Sequence, residues 1–230
     1  MKSFSQFLSE VVSKIAPTGE TFATKNKFKD IMHRHGDKLG SGIQASVFDV
    51  KDRAIKIYHG DSSETSPTGA WLDASKIKHK TNEHYPVVHR HVQIPTRDNT
   101  SVGIASMEKL HPLSSLKGAE RHALYTKTFS PDPELPKHVH PDANHFGDVA
   151  RKHANTNGSP TRESTNFVGT HSHTTSTSDK LHSAFHDIHG LSDDGTGRNI
   201  DIHGGNMMVR KHPIHGHQLV ITDPLVDMDI

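Results

Sequence analysis

Two short apolar runs late in the chain, Met207-Met208-Val209 and Leu219-Val220-Ile221, constrain its folding more than any other feature. Each is short for a helix and the right length for a strand. The polar insert between them lets the pair form a hairpin, whose outer ends then lie side by side. One end carries Asn199-Ile200-Asp201-Ile202-His203-Gly204-Gly205-Asn206, the other Thr222-Asp223-Pro224. The expectation is a strand pair that presents the Asp201–Asn206 loop and Asp223 to one cleft.

The first half of the chain is patterned as a sheet. Lys38-Leu39-Gly40-Ser41-Gly42-Ile43-Gln44-Ala45-Ser46-Val47-Phe48 precedes Arg53-Ala54-Ile55-Lys56-Ile57-Tyr58, in the order strand, glycine turn, strand, strand. Glycine lets a backbone lie close to a ligand, and Ala45 stands where a third glycine would complete the turn. Residues 87–94 and 100–107 read as two more strands. Glu108-Lys109-Leu110-His111-Pro112 follows as the passage out of the sheet. Between the strands, residues 69–80 read as a helix with Trp71, Leu72, Ser75 and Ile77 on or near its buried side.

The remaining segments read as helix and loop. Phe4, Phe7, Leu8, Val11, Val12 and Ile15 fall at helical spacing before Pro17 and Gly19, and Phe28, Ile31 and Met32 mark a second helix. Leu113, Leu116, Ala123 and Leu124 suit a third and residues 150–154 a fourth, with Pro131, Pro133, Pro136 and Pro141 interrupting. Residues 155–178, rich in Ser, Thr, Asn and Gly, read as a mobile loop. Leu181, Phe185 and Ile188 form the stripe of a helix just before the Asp201 loop. His182, His186 and His189 share that helix, but no carboxylate at a diagnostic spacing makes them a zinc site, so they read as surface histidines, as do His138, His140, His171 and His173 in loops.

Composition narrows the function classes. Lys plus Arg is 27 against 26 for Asp plus Glu, so no net field draws the chain to nucleic acid or to a membrane. Cysteine is absent, which removes disulfides and thiol chemistry and suits a reducing cytoplasm. The 22 histidines would make the chain strongly cationic as pH falls through the imidazole range. No apolar run approaches membrane-spanning length, and Ser, Gln and Glu break up the N-terminal apolar stretch, so a soluble protein without a signal peptide is expected. At 31% hydrophobic residues the core should be modest.

The ordered set of Gly40, Gly42, Val47 and Lys56, then Asp201-x-His203-x-x-Asn206, then Asp223, resembles the protein kinase superfamily. More narrowly it is similar to the early serine/threonine kinases of T-seven-like bacteriophages, which share Asp-x-His-x-Gly-Asn-x-Met and then Ile-Thr-Asp-Pro. The resemblance implies an α+β, two-lobed kinase-like fold, with a small antiparallel sheet lobe and a truncated helical lobe. An N-terminal helical extension over 1–34 would precede a sheet lobe over 35–110 and a minimal helical lobe over 111–230. ATP and magnesium would be the cofactors, and Ser/Thr hydroxyls of host bacterial proteins the acceptors. Asp201 would be the base or hydroxyl-orienting group, with Asn206 and Asp223 on magnesium. Lys56 would reach the α and β phosphates, under a cover of Leu39, Gly40, Ser41, Gly42, Ala45 and Val47. His203 stands where kinases usually carry a lysine and would donate to the γ-phosphate. Glu108 and Leu110 would flank adenine at the hinge. The first ten residues are similar to the head-targeting N-terminus of internal head proteins of T-even phages. Localisation would be the host cytoplasm, with packaging in the virion head as a further expectation.

This sequence also departs from the family pattern. Asn199 and Ile200 replace His-Arg before Asp201, and Asp223-Pro224-Leu225 replaces Asp-Phe-Gly. Asp73, Glu64 and Glu83 are the acids near Lys56 in sequence, and none stands at the expected position of its partner. The chain ends seven residues after Asp223, with no activation segment or peptide-binding helices. Nucleotide and metal binding are therefore expected more directly than protein phosphorylation. Two other readings stay open: a pseudokinase that binds nucleotide or a host protein, and a small-molecule phosphotransferase of the aminoglycoside kinase type.

Overall fold

A computed structural model describes residues 21–41, 45–61, 66–129, 141–157, 177–192, 198–212 and 216–227. The expected helix over 4–15, Gly42, Glu64 and most of the expected 155–178 loop lie outside them. The described residues form an α+β protein in two compact units. One unit holds the described residues through Leu72 together with Val88–Lys109. The other holds Asp73–Val87 and the described residues from Leu110 onward.

The first unit is a five-stranded antiparallel sheet with one whole helix and the first six residues, Pro67–Leu72, of another. Helix α1 (Thr21–His33) precedes β1 (Asp37–Ser41), β2 (Ala45–Val50) and β3 (Arg53–Asp61). Helix α2 (Pro67–Lys78) follows, then β4 (Val88–Pro95) and β5 (Thr100–Glu108), and the sheet order is β1-β2-β3-β5-β4. Because side chains alternate across a strand, β3 has two buried faces of different character. Ile55 and Ile57 join Phe28 and Met32 of α1, with Phe48, Ile94, Val102 and Ile104, in one apolar cluster. Tyr58, two places from Lys56, lies in a second cluster with Ala45, Leu72, Val88, Ala105 and Met107. Tyr58 needs Gly103 opposite it in β5, since a Cβ there would stand 2.0 Å from the ring.

Helix α2 starts at Pro67, a preferred first-turn residue, and Ser66 Oγ accepts from the Gly69 amide at 3.1 Å. Trp71, Leu72 and Ser75 are buried as expected. Ile77 is not: it is 74% exposed. Its position, five beyond Leu72, rotates it away from the face those three share.

The second unit combines three helices with two small sheets. It comprises β6 (His111–Pro112), a 3-10 turn (Leu113–Ser115), α3 (Gly118–Phe129), α4 (Ala143–Asn157) and α5 (Thr177–Ser192). Then come β7 (Arg198–Ile200), a 3-10 turn (Gly204–Asn206), β8 (Met207–His212), β9 (Gly216–Ile221) and β10 (Leu225–Asp227). Helix occupies both ends of the expected 155–178 loop, since α4 runs on through Asn157 and α5 begins at Thr177. The aromatic rings of Tyr125, Phe129 and Phe146 pack edge to face or tilted, 5.2 to 5.9 Å apart, and join α3 to α4. Leu181, Ala184, Phe185 and Ile188 make the buried stripe of α5.

The segment after α2 belongs to this second unit through polar contacts. Asn82 Nδ2 donates to Lys180 O at 2.7 Å, the Lys180 ammonium meets Glu83 at 2.7 Å, and Tyr85 Oη donates to Asp187. His84 Nδ1 bonds Leu219 O at 2.8 Å, and the Ile221 amide donates to His84 O at 2.9 Å. Arg210 closes the arrangement by donating to Glu83 O at 2.7 Å and Tyr85 O at 2.9 Å.

Replacing Arg210 with Met should leave two carbonyls without their donor and cost about 2–4 kcal/mol, read as a drop in the urea midpoint. A pH dependence follows from Lys25, whose ammonium bonds His59 Nδ1 at 2.7 Å and is pulled down to about 8 by burial and then by Lys29. Between about 8 and the ordinary 10.5, the unfolded chain holds a proton that the folded chain has released. Stability should therefore rise with pH across that window, and Lys25→Met should flatten the rise in chemical denaturation at pH 7, 8, 9 and 10.

Candidate functional site

The hairpin expected from the two apolar runs forms. Strand β8 pairs antiparallel with β9, Met207 opposite Ile221 and Val209 opposite Leu219. That rung sets Asn206, just before β8, beside Thr222, just after β9. Thr222 seals the contact by donating to Asn206 O from its amide at 2.9 Å and its hydroxyl at 3.0 Å. A second pairing, β7 with β10, sets Ile200 opposite Leu225, and the Asp201 amide donates to Pro224 O at 2.7 Å. Asp223 thus sits between two residues that are each bonded to the Asp201–Asn206 loop.

Inside the loop the side chains interlock. Asn206 Nδ2 donates to Asp201 O at 2.7 Å and Asp201 Oδ2 at 3.2 Å. Both of its donor hydrogens are used inward, which leaves Oδ1 as the oxygen able to hold a cation. His203 Nδ1 accepts from the Gly205 amide at 3.0 Å, capping the 3-10 turn. In the neutral ring the proton therefore sits on Nε2, 3.6 Å from Asp201 Oδ2. The Asn206 amide oxygen and the Asp223 carboxylate, the two residues expected to hold magnesium, are hard oxygen donors of the kind that ion prefers.

The loop rests on α4. A Cβ on Gly204 would stand 2.1 Å from Ala143 O, and one on Gly147 would stand 2.6 Å from the Gly204 amide nitrogen. Arg151 Nε donates to Ile202 O at 3.0 Å. The two glycine contacts and Arg151 were not among the expected site residues. A lone glycine inside a helix, as Gly147 is, is a readable sign of close packing. Arg151 leaves no trace in spacing.

In the first unit, strand register lines up other expected residues. Gly40 faces Val47 across β1 and β2, Val47 faces Lys56 across β2 and β3, and Lys56 faces Ala105. Lys56 is only 5% exposed, and Ala45 is buried. Leu39 is 54% exposed, and Gly40 and Ser41 are also open on β1. Glu108 ends β5, and the division between the units falls between Lys109 and Leu110, so Leu110 belongs to the second. Of the acids near Lys56 in sequence, Asp73 is exposed and Glu83 is engaged by Lys180. His182 and His186 are exposed on α5, and among the described residues no group of three or more His, Asp or Glu gathers for a metal.

Gly204→Ala tests the support of the loop: the added methyl meets backbone and should cost about 1–3 kcal/mol, seen as a lower Tm. No protein-family model and no curated protein matches the chain, so this site is interpreted from its own geometry.

Proposed function

We propose that the protein is a magnesium- and ATP-dependent phosphotransferase of the minimal protein-kinase type, acting on protein Ser/Thr hydroxyls, with bacterial host proteins as acceptors. The observation that carries this is the bonding of the Asp201–Asn206 loop to both flanks of Asp223, with Asn206 spending its donors on Asp201. In this reading Asp201 orients the acceptor hydroxyl and takes its proton, and its carboxylate is held by Asn206 for that task. Asn206 Oδ1 and Asp223 would hold magnesium, which when bound neutralises charge on the phosphates. His203, capped through Nδ1, keeps Nε2–H as a donor near the reacting oxygens. Lys56, with Gly40 and Val47 in the same row of the first sheet, is assigned to the phosphates. Catalysis is then mainly positioning and electrostatics.

A second reading, a nucleotide-binding pseudokinase, draws on the sequence departures: Asn199 and Ile200 stand where kinases carry His-Arg, and Asp223-Pro224-Leu225 where they carry Asp-Phe-Gly. Purified protein incubated with magnesium and γ-labelled ATP, alone and with bacterial lysate, separates the two. Label transferred to protein by wild type should fall at least a hundredfold in Asp201→Asn and in Lys56→Met. ATP binding without any transfer would overturn the kinase reading and leave the pseudokinase; label on small molecules alone would point to an aminoglycoside-type phosphotransferase.

A further inference from the structure

The loop's hydrogen bonds come from two sources. Asp201 N to Pro224 O, Asn206 N to His203 O, Thr222 to Asn206 O, and Asn206 Nδ2 to Asp201 all lie within the segment 201–224. The Ile202 carbonyl, between Asp201 and His203, takes its hydrogen bond from outside, from Arg151 Nε on α4, 51 residues away in sequence. We infer that Arg151 is a positioning residue for phosphoryl transfer, setting the Asp201 carboxylate through the Ile202 backbone. The inference rests on the phosphotransferase reading above.

Three observations make the contact more than a surface arginine meeting a carbonyl. First, helix α4 is packed against the same loop at its glycines, Gly147 on Gly204, so Arg151, one turn further along, has a fixed distance to cover. Second, Ile202 is buried at 1% exposure, so its peptide cannot turn to find another donor without moving that side chain. Third, the alternative partner of Arg151 is Asp148, three residues before it, with Nη1 to Oδ1 at 3.9 Å and both side chains half-exposed or more. A pair that open holds a side chain weakly, which leaves the Ile202 bond as the one that fixes the guanidinium. A peptide free to rotate at Ile202 would turn Asp201 and His203, the residues on either side of it.

The test uses the full chain and two readouts. Hydrogen exchange at the amides of residues 201–206 reports the loop directly, and steady-state transfer of γ-phosphate reports catalysis. Arg151→Ala should speed exchange of those amides at least tenfold and lower kcat at least tenfold, with KM for ATP within twofold. Arg151→Lys, which keeps a charged donor, should recover most of both losses, whereas Lys152→Ala, an exposed neighbour on α4, should change neither. A thermal melt within a few degrees of wild type shows that each variant is folded, and Arg151→Met, which keeps the stem without the donor and should show the same two losses, carries the test if Arg151→Ala is not. Loop exchange unchanged in Arg151→Ala overturns the inference, and so does a loss that appears in KM while kcat holds. Absence of transfer by wild type would sink the phosphotransferase reading and the catalytic half of the inference, and the exchange result alone would then uphold or overturn the loop-holding half.

Discussion

Met207 faces Ile221 across the first rung of the β8–β9 hairpin, and the arrangement of the Asp201–Asn206 loop beside Asp223 depends on that register. Slipping β8 by one residue would turn Met207 and Val209 out of the core, so burial pins the pairing. With the rung fixed, Asn206 and Thr222 are neighbours by construction. The short β7–β10 pairing does the same for Asp201 and Pro224. Two independent pairings therefore bracket Asp223, whose place is set by backbone bonds on either side of it. Side chains with modest individual preferences acquire a defined arrangement because strands that are chemically plain hold their main chains.

The first unit reaches a comparable result with strand alternation. Odd and even positions of β3 serve different clusters, so Ile55 and Ile57 anchor α1 while Lys56 shares the other face with Tyr58. A lysine can be enclosed in a sheet because its methylene stem packs as an apolar group. Its row partners Val47 and Ala105 are small or branched and leave room for that stem. Tyr58 and Gly103 show the opposite solution, in which a large ring needs the facing position emptied.

What could be read from the sequence was what lies close together in it. The strands of the first unit and the β8–β9 hairpin are local patterns of alternation and run length, and they appear nearly where expected, whereas β6, β7 and β10, two or three residues each, were not expected as strands. Ile77 departs from the expected stripe because burial along α2 ends at Ser75. The role of α4 was illegible for a different reason. Arg151 and Gly147 meet a loop about fifty residues away, and no periodicity links a donor to a carbonyl over that distance. The grouping of Asp73–Val87 with the later unit was hidden likewise, since its contacts are long-range polar bonds instead of an apolar pattern. The proposed kinase reading assigns roles to the loop residues without naming the helix that supports them.

Those long-range bonds also order events during folding. His84 must wait for Leu219, 135 residues later, and the carbonyls of Glu83 and Tyr85 wait for Arg210. Until then the segment after α2 holds polar groups that only water can satisfy. Closing a loop of that length costs chain entropy before any contact repays it, so this docking belongs late in assembly. The first sheet is built differently in this respect: β2 and β3 meet through a two-residue turn, with Lys51 in the left-handed region. A nascent chain can thus complete that hairpin while the segment beyond α2 is still a tether, and the second unit becomes whole only when β9 arrives to receive it.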